Sequence, residues 1–172
     1  MYRLREIERR DLPVINSWRN DEELISHLGA PFRYIGPEVD DSWFEAYLKN
    51  RSSAVRCAVT DDSDIALGVV YLTSVDSVNR SAVLSVMVGG IENRSHGVGS
   101  FAVKEMLRHA FNNLNLNRVE LSVLTENVPA IRLYETFGFV REGVKRQARF
   151  KNGRYADLAV YALLREDYKN DN

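Results

Sequence analysis

Residues 94–99 combine glycine with polar side chains at a point where the chain changes from strand to helix. The residues are Arg94, Ser95, His96, Gly97, Val98 and Gly99, and Ser100 follows them. The run at 82–88 is apolar, and the pattern at 98–111 predicts an amphipathic helix. A glycine turn at this point directs unpaired backbone N–H groups outward at the positive end of the helix dipole. The segment therefore predicts a site for the phosphate groups of a ligand.

A second segment, residues 127–139, has the start and stop signals of a short helix. Asn127 suits the N-cap, Pro129 suits the first turn, and Gly138 suits the position just past the end. Asn127 and Tyr134 are seven residues apart, so they lie close to the same helix face. One interpretation makes Tyr134 a packing residue of an amphipathic helix. The other places its hydroxyl at a site with Asn127.

The elements that position these segments alternate along the chain. Period-two patterns predict strands over residues 2–7, 54–60, 65–75, 80–88, 118–124, 139–150 and 154–164. Helices are predicted over 11–18, 21–28, 98–111 and 128–137, with a further helix starting at Asp41 after a Pro/Gly loop at 29–37. This order predicts a single α/β domain over residues 1–168, with a mixed sheet, helices on both faces, and a polar tail at 169–172.

Composition excludes several classes of function. The chain has 172 residues, of which 45% are hydrophobic, and a formal net charge of −1. This balance gives no basic field, so we expect neither a nucleic-acid nor a membrane partner. The single cysteine excludes an internal disulfide. The N-terminal residues are charged rather than apolar, which predicts no signal peptide and a cytoplasmic protein.

The sequence gives little support for a metal site or for nucleotide hydrolysis. His27, His109 and Cys57 lack the spacing of metal ligands, and the acidic run at 61–64 is most simply a solvated turn. We therefore expect no metal. No Lys-Ser or Lys-Thr pair follows the glycines at 97 and 99, which argues against a P-loop nucleotide hydrolase.

Taken together, the two segments resemble the GCN5-related N-acetyltransferase (GNAT) family. Residues 94–99 are similar to the family's pyrophosphate loop, and residues 127–139 are similar to its second coenzyme motif. The element order also resembles the GNAT fold, a central mixed, mostly antiparallel sheet of about seven strands. Residues 12–20 and 140–157 are closest in pattern to ribosomal-protein N-terminal and spermidine acetyltransferases.

The resemblance implies acetyl-CoA as co-substrate and direct acetyl transfer to a primary amine. Backbone N–H groups of residues 95–100 would then hold the pyrophosphate of coenzyme A, and Met87 and Val88 would pair with its pantetheine arm. His96 either contacts a phosphate or is an exposed loop residue. Asn127 and Ala130 belong to the second coenzyme motif, and Tyr134 is the expected proton donor to the departing thiolate.

The residues do not identify the general base or the amine acceptor. Many relatives carry a glutamate on the strand before the glycine loop, whereas residues 80–88 contain no carboxylate and Val83 stands where an acid is expected. Ser85 could hold a water molecule, Glu92 lies nearby in sequence, and solvent could also take the proton. We expect the acceptor between the first two helices and the last hairpin, against Trp18, Arg19, Arg33, Tyr34, Trp43 and Ser85.

Several acceptors fit this interpretation, including a protein N-terminus, a polyamine, an amino sugar or another small amine. The competing hypothesis from another class is an inactive acyl-CoA-binding module used for sensing or assembly. The missing strand carboxylate favours that module, and the presence of Tyr134 favours an enzyme. A homodimer joined through an edge strand or a helix is also expected.

Overall fold

The computed structural model describes residues 1–169, in which seven strands form one sheet in the order β1-β2-β3-β4-β5-β7-β6. The strands are β1 (Arg3–Glu6), β2 (Val55–Thr60), β3 (Ala66–Asp76), β4 (Ser81–Val88), β5 (Arg118–Leu124), β6 (Val140–Lys151) and β7 (Arg154–Leu164). Among neighbouring strands only β4 and β5 run parallel. The predicted mixed, mostly antiparallel sheet is confirmed. Residues 170–172 of the expected tail lie outside the described part.

Five α-helices occur in the described residues: α1 (Leu12–Arg19), α2 (Glu22–Ser26), α3 (Pro37–Lys49), α4 (Val98–Arg108) and α5 (Val128–Thr136). The expected start of α3 at Asp41 was wrong, because Pro37 occupies the first helical position after Gly36. The chain continues past α4 as one wider turn, His109–Asn113, before β5. No helix in residues 1–169 is long and apolar enough to cross a membrane.

The helices cover both faces of the sheet. On β2, Ala58 packs with α1, α2 and α3, whereas the next residue, Val59, packs with α4. On β3, Val69 packs in the core beneath α1–α3, and Val70 packs in the core beneath α4. Because side chains alternate along a strand, each of these strands supplies both cores. The face beneath α1–α3 is called here the acceptor face.

The sheet opens between β4 and β5. These strands pair at three positions only, Ser81–Arg118, Ala82–Val119 and Val83–Glu120. Beyond Val83, β4 stays paired with β3 as far as Val88, while β5 stays paired with β7 as far as Leu124. The edge of β4 that faces β5 therefore carries unpaired backbone groups from Leu84 onward.

Candidate active site

The gap between β4 and β5 leads into a cavity of about 770 Å³. Its walls come from both sides of the sheet, with residues of α1, β2, β3 and the 29–37 loop on one side and residues of α5 on the other. Ser85 and Met87 of β4 line it, as do Ser122 and Leu124 of β5. A molecule in this cavity would therefore reach the acceptor face and α5 at once.

The glycine segment forms the turn that starts α4. Ser95 and Gly97 have positive φ angles of 62° and 85°, and Tyr2 donates a hydrogen bond of 2.7 Å to the carbonyl of His96. The first α4 hydrogen bond runs from the Phe101 N–H to the Gly97 carbonyl, at 2.9 Å. The N–H groups of residues 98–100 consequently have no acceptor within the helix. This is the arrangement that binds an anion.

The start of α4 lies beside the open end of the gap. A Cβ atom at Gly99 would lie 3.5 Å from Val88 Cγ2 and 3.5 Å from Leu133 Cδ2. Gly99 thus sits between the last residue of β4 and the middle of α5. A phosphate at the helix start and a flexible chain along β4 could belong to one ligand.

The side chain of Tyr134 is buried in the cavity wall. Its ring packs edge-on against Phe139, with centroids 5.8 Å apart, and its hydroxyl has no hydrogen-bond partner among residues 1–169. Burial raises the pKa of Tyr134 to about 12 because the phenolate would lack solvent. The side chain therefore keeps its proton at neutral pH and presents a donor to the cavity.

No aspartate or glutamate is among the residues that line the cavity. Val83, where an acid was expected, lines it with an apolar side chain, and the exposed hydroxyl of Ser85 lies two residues further along β4. Glu92 is exposed, does not line the cavity, and accepts a hydrogen bond of 3.3 Å from Asn93. The described structure thus provides a proton donor here and no carboxylate base.

Sequence comparison decides the family. Residues 2–140 match the family described as acetyltransferase (GNAT) domain. The chain belongs to the GNAT acetyltransferase family. The predicted N-acetyltransferase activity with acetyl-CoA as donor is confirmed at this level.

One relative, known from both its sequence and its crystal structure, matches almost the whole GNAT chain. Spermidine N(1)-acetyltransferase from Vibrio cholerae is 32% identical over 170 residues, which span 97% of this chain and 95% of that protein. The crystal structure of the V. cholerae enzyme with CoA and spermine superposes with a TM-score of 0.91 at 28% identity, covering 97% of each chain. An L-amino acid N-acetyltransferase from Escherichia coli is 30% identical over 133 residues, covering 75% of this chain and 80% of that one.

The GNAT cavity brings together some of the predicted coenzyme residues. Met87, Asn127, Ala130 and Tyr134 line it, whereas Val88 and the loop over 94–100 lie beyond its lining. Asn127 also has a local role, because its side-chain oxygen accepts from the Ala130 N–H at 3.2 Å and its amide donates to the His27 carbonyl at 2.9 Å. It therefore joins the end of α2 to the start of α5.

Four of the six residues expected to contact the acceptor line the cavity, and two do not. Arg19, Arg33, Trp43 and Ser85 line the cavity. Trp18 does not, because its indole is only 7% exposed and packs in the core beneath α1. Tyr34 is 90% exposed, packs edge-on against Phe32, and does not line the cavity either.

Sequence reasoning missed several polar residues of the cavity lining, His27 and the following three among them. Arg56 of β2, Tyr71 of β3 and Arg149 of β6 all line the cavity. Alternation along β2 would have placed Arg56 on the same face as Ala58, but a single arginine in a strand is usually solvent-exposed. Only the pairing of β2 with β3 places it beside Tyr71.

Proposed function

We propose that this GNAT enzyme transfers acetyl directly from acetyl-CoA to a primary amine while both substrates are bound. The observation that carries the proposal is the unpartnered Tyr134 hydroxyl in the wall of a cavity that also exposes the free edge of β4. Direct attack of an amine on a thioester needs no nucleophile from the protein. It needs a held thioester, a neutral amine and a proton for the thiolate.

Coenzyme A would bind across the open end of the gap. The N–H groups at the start of α4 receive the pyrophosphate, and the unpaired edge of β4 around Met87 and Val88 pairs with the pantetheine amides. Arg94, Ser95, His96 and Ser100 remain proposed pyrophosphate neighbours. The thioester then lies in the gap, close to Tyr134.

The acetyl transfer needs a single tyrosine as general acid. The amine nitrogen forms a bond to the thioester carbon, and the C–S bond breaks as the tetrahedral intermediate collapses to the amide. Tyr134 gives its proton to the departing sulfur, and a proton released by the attacking nitrogen returns through solvent to the phenolate. With no carboxylate in the described cavity lining, the amine enters neutral or loses its proton to water.

The acceptor would approach from the acceptor face, where Arg19, Arg33 and Trp43 form the wall. The named activities of relatives support two acceptor classes, polyamines and amino acids. Self-association into a homodimer and a cytoplasmic location stay predictions.

An acceptor screen tests the proposal. The purified full chain is incubated with acetyl-CoA and single amines, and free thiol and acetylated product are measured together. The expected result is thiol release that depends on both the amine and Tyr134. If acetyl-CoA raises the melting temperature but no amine from a broad panel releases thiol, direct transfer to an amine is refuted.

A further inference from the structure

The charged groups of the cavity have one sign. Four arginines line it, Arg19, Arg33, Arg56 and Arg149, and no aspartate, glutamate or lysine of the described residues does. A site for a polycation would have the opposite charge, because buried ammonium groups require carboxylates. The lining is therefore suited to an acceptor with a negative group.

Three of the arginines have partners or solvent. Arg19 forms an ion pair with the buried Asp40, which also accepts a hydrogen bond of 2.5 Å from Asn16. Arg149 donates to the backbone carbonyl of Gly29 at 2.8 Å. Arg33 is exposed to water. These contacts account for three of the four arginines and leave Arg56.

Arg56 is the half-buried arginine of the cavity whose side chain has no hydrogen-bond or ion-pair partner among residues 1–169. Its guanidinium lies over three aromatic rings, with its central carbon 4.7 Å from the centre of Trp43, 4.9 Å from Tyr71 and 5.6 Å from Tyr47. No carboxylate or hydrogen-bond acceptor within residues 1–169 contacts it, and its Nε is buried without a partner. Burial lowers the pKa of Arg56, and the charge of Arg19 adds to that effect.

The rings hold the guanidinium but do not satisfy its N–H groups. Cation–π contact stabilises the charge and restrains the side chain. An arginine presents five N–H donors in a plane, and a carboxylate or phosphate accepts two of them at once. Nε is buried without a partner, whereas the terminal N–H groups are not buried, so these are the donors that an anion in the cavity would contact.

The register places Arg56 within reach of the reaction centre. Arg56 pairs with Tyr71, and Tyr71 pairs with Ser85 on β4, so the three residues form a row across the acceptor face. Two strand spacings place the Cα atoms of Arg56 and Ser85 about 10 Å apart. A small molecule could bridge the arginine and the thioester in the gap.

We propose that the acceptor is an amine that also carries a carboxylate or phosphate group, and that Arg56 binds this group. The inference rests on the proposed function, because it names the acceptor class of the same site. It separates this enzyme from acetyltransferases of polyamines. It also gives Arg56 a role that sequence reasoning did not assign.

Matched pairs of acceptors test the proposal. Leucine is compared with leucinamide, glucosamine 6-phosphate with glucosamine, and spermidine is measured beside them, each with acetyl-CoA and the full chain. The expected result is that, in one pair, the member with the carboxylate or phosphate exceeds the member without it in kcat/KM by roughly tenfold or more. The pair that shows the preference identifies carboxylate or phosphate as the group.

Variants assign the preference to Arg56. Arg56→Met is expected to raise KM for the acceptor with the anionic group more than it lowers kcat, and to bring the ratio of kcat/KM within a pair close to unity. Arg56→Lys keeps a point charge and is expected to retain part of the preference. The exposed Arg3→Met, on β1, is the matched control, and melting temperatures verify that each variant is folded.

The outcomes separate this inference from the proposed function. A preference for spermidine, or for leucinamide and glucosamine over their anionic counterparts, would overturn the inference and leave amine acetylation intact. A charge preference that persists in Arg56→Met would overturn the role of Arg56. Absence of thiol release with every amine would overturn the proposed function, and the inference with it.

Discussion

The indole ring of Trp18 lies so close to Gly89 that a Cβ atom on Gly89 would be 1.9 Å from Trp18 Cε2. Gly89 follows β4 directly, its N–H donates to the Leu67 carbonyl at 2.9 Å, and its carbonyl accepts from Asn93 at 2.8 Å. The contact joins α1 to the connection that leads into the glycine loop. Trp18 thus supports the proposed coenzyme side of the site from within the core.

Gly89→Ala should reduce stability for this reason. The added methyl group has to displace a buried indole, and overpacking of this kind costs about 1–3 kcal/mol. Urea unfolding of both proteins measures the difference. Gly143→Ala is the matched control, since a Cβ atom there meets nothing within 4 Å, and it should change the free energy of unfolding by less than about 0.5 kcal/mol. Equal unfolding midpoints for Gly89→Ala and the unmodified chain would contradict the contact.

Tyr134→Phe should lower kcat by roughly a hundredfold, because it removes the proton donor to the thiolate. The hydroxyl makes no hydrogen bond within the described residues, so the fold and the affinity for coenzyme A should stay unchanged. Steady-state kinetics and calorimetric titration with coenzyme A measure the two effects. The exposed Tyr155→Phe provides the control, and unchanged turnover in Tyr134→Phe would exclude the proposed acid.

Gly97→Ala should weaken the binding of acetyl-CoA by disturbing the contact with its pyrophosphate. A side chain at φ 85° strains the turn and reorients the N–H groups at the start of α4. We expect KM for acetyl-CoA to rise by roughly tenfold. Turnover of S-acetyl-pantetheine, which lacks the pyrophosphate, should not change.

Gly153→Ala is the control for Gly97→Ala. Gly153 has φ 77° and equally open space, but it lies in the turn between β6 and β7. The two variants should lose similar stability, and only Gly97→Ala should raise KM. If both variants raise KM for acetyl-CoA alike, the loop does not bind the pyrophosphate.

Alkaline pH should destabilise the fold. Burial raises the pKa of the Cys57 thiol from 9.0 to about 12, so the folded state holds a proton that the unfolded state has lost across this window. The free energy of unfolding should therefore fall as pH rises above 9, by up to about 1.4 kcal/mol per pH unit from this group. Urea titrations from pH 8 to 11 measure the slope, which should be shallower in Cys57→Ala. Identical slopes in the two proteins would argue against the raised pKa.

Elements with strong local signals were predictable from the sequence. The strands at 118–124 and 154–164 agree with the structure at both ends, and α5 ends one residue earlier than predicted. Asn127, Pro129 and Gly138 act on their immediate neighbours, so their effect can be read locally. The start of α3 was missed because Gly36 and Pro37 were assigned to a loop, although proline is favoured in the first turn of a helix.

The acceptor side was harder to predict. Trp18 was expected in the acceptor groove and Arg56 was given no role, since an aromatic residue on a helix can pack inward or line a groove, and an arginine on a strand can be exposed or face a cavity. Trp18 packs against Gly89, 71 residues later in the chain, and Arg56 lies over rings from α3 and β3. Neither contact involves neighbours in sequence.

The sequence by itself determined the glycine turn, the capped α5 and the missing carboxylate on β4, because these depend on residue type and on contacts within a few residues. Only the tertiary structure decided where β4 and β5 separate and which side chains share the resulting cavity. Tyr134, Arg56 and Ser85 come from three elements, and their meeting depends on strand register and helix packing. Those are set by contacts between distant segments, which a local pattern does not encode.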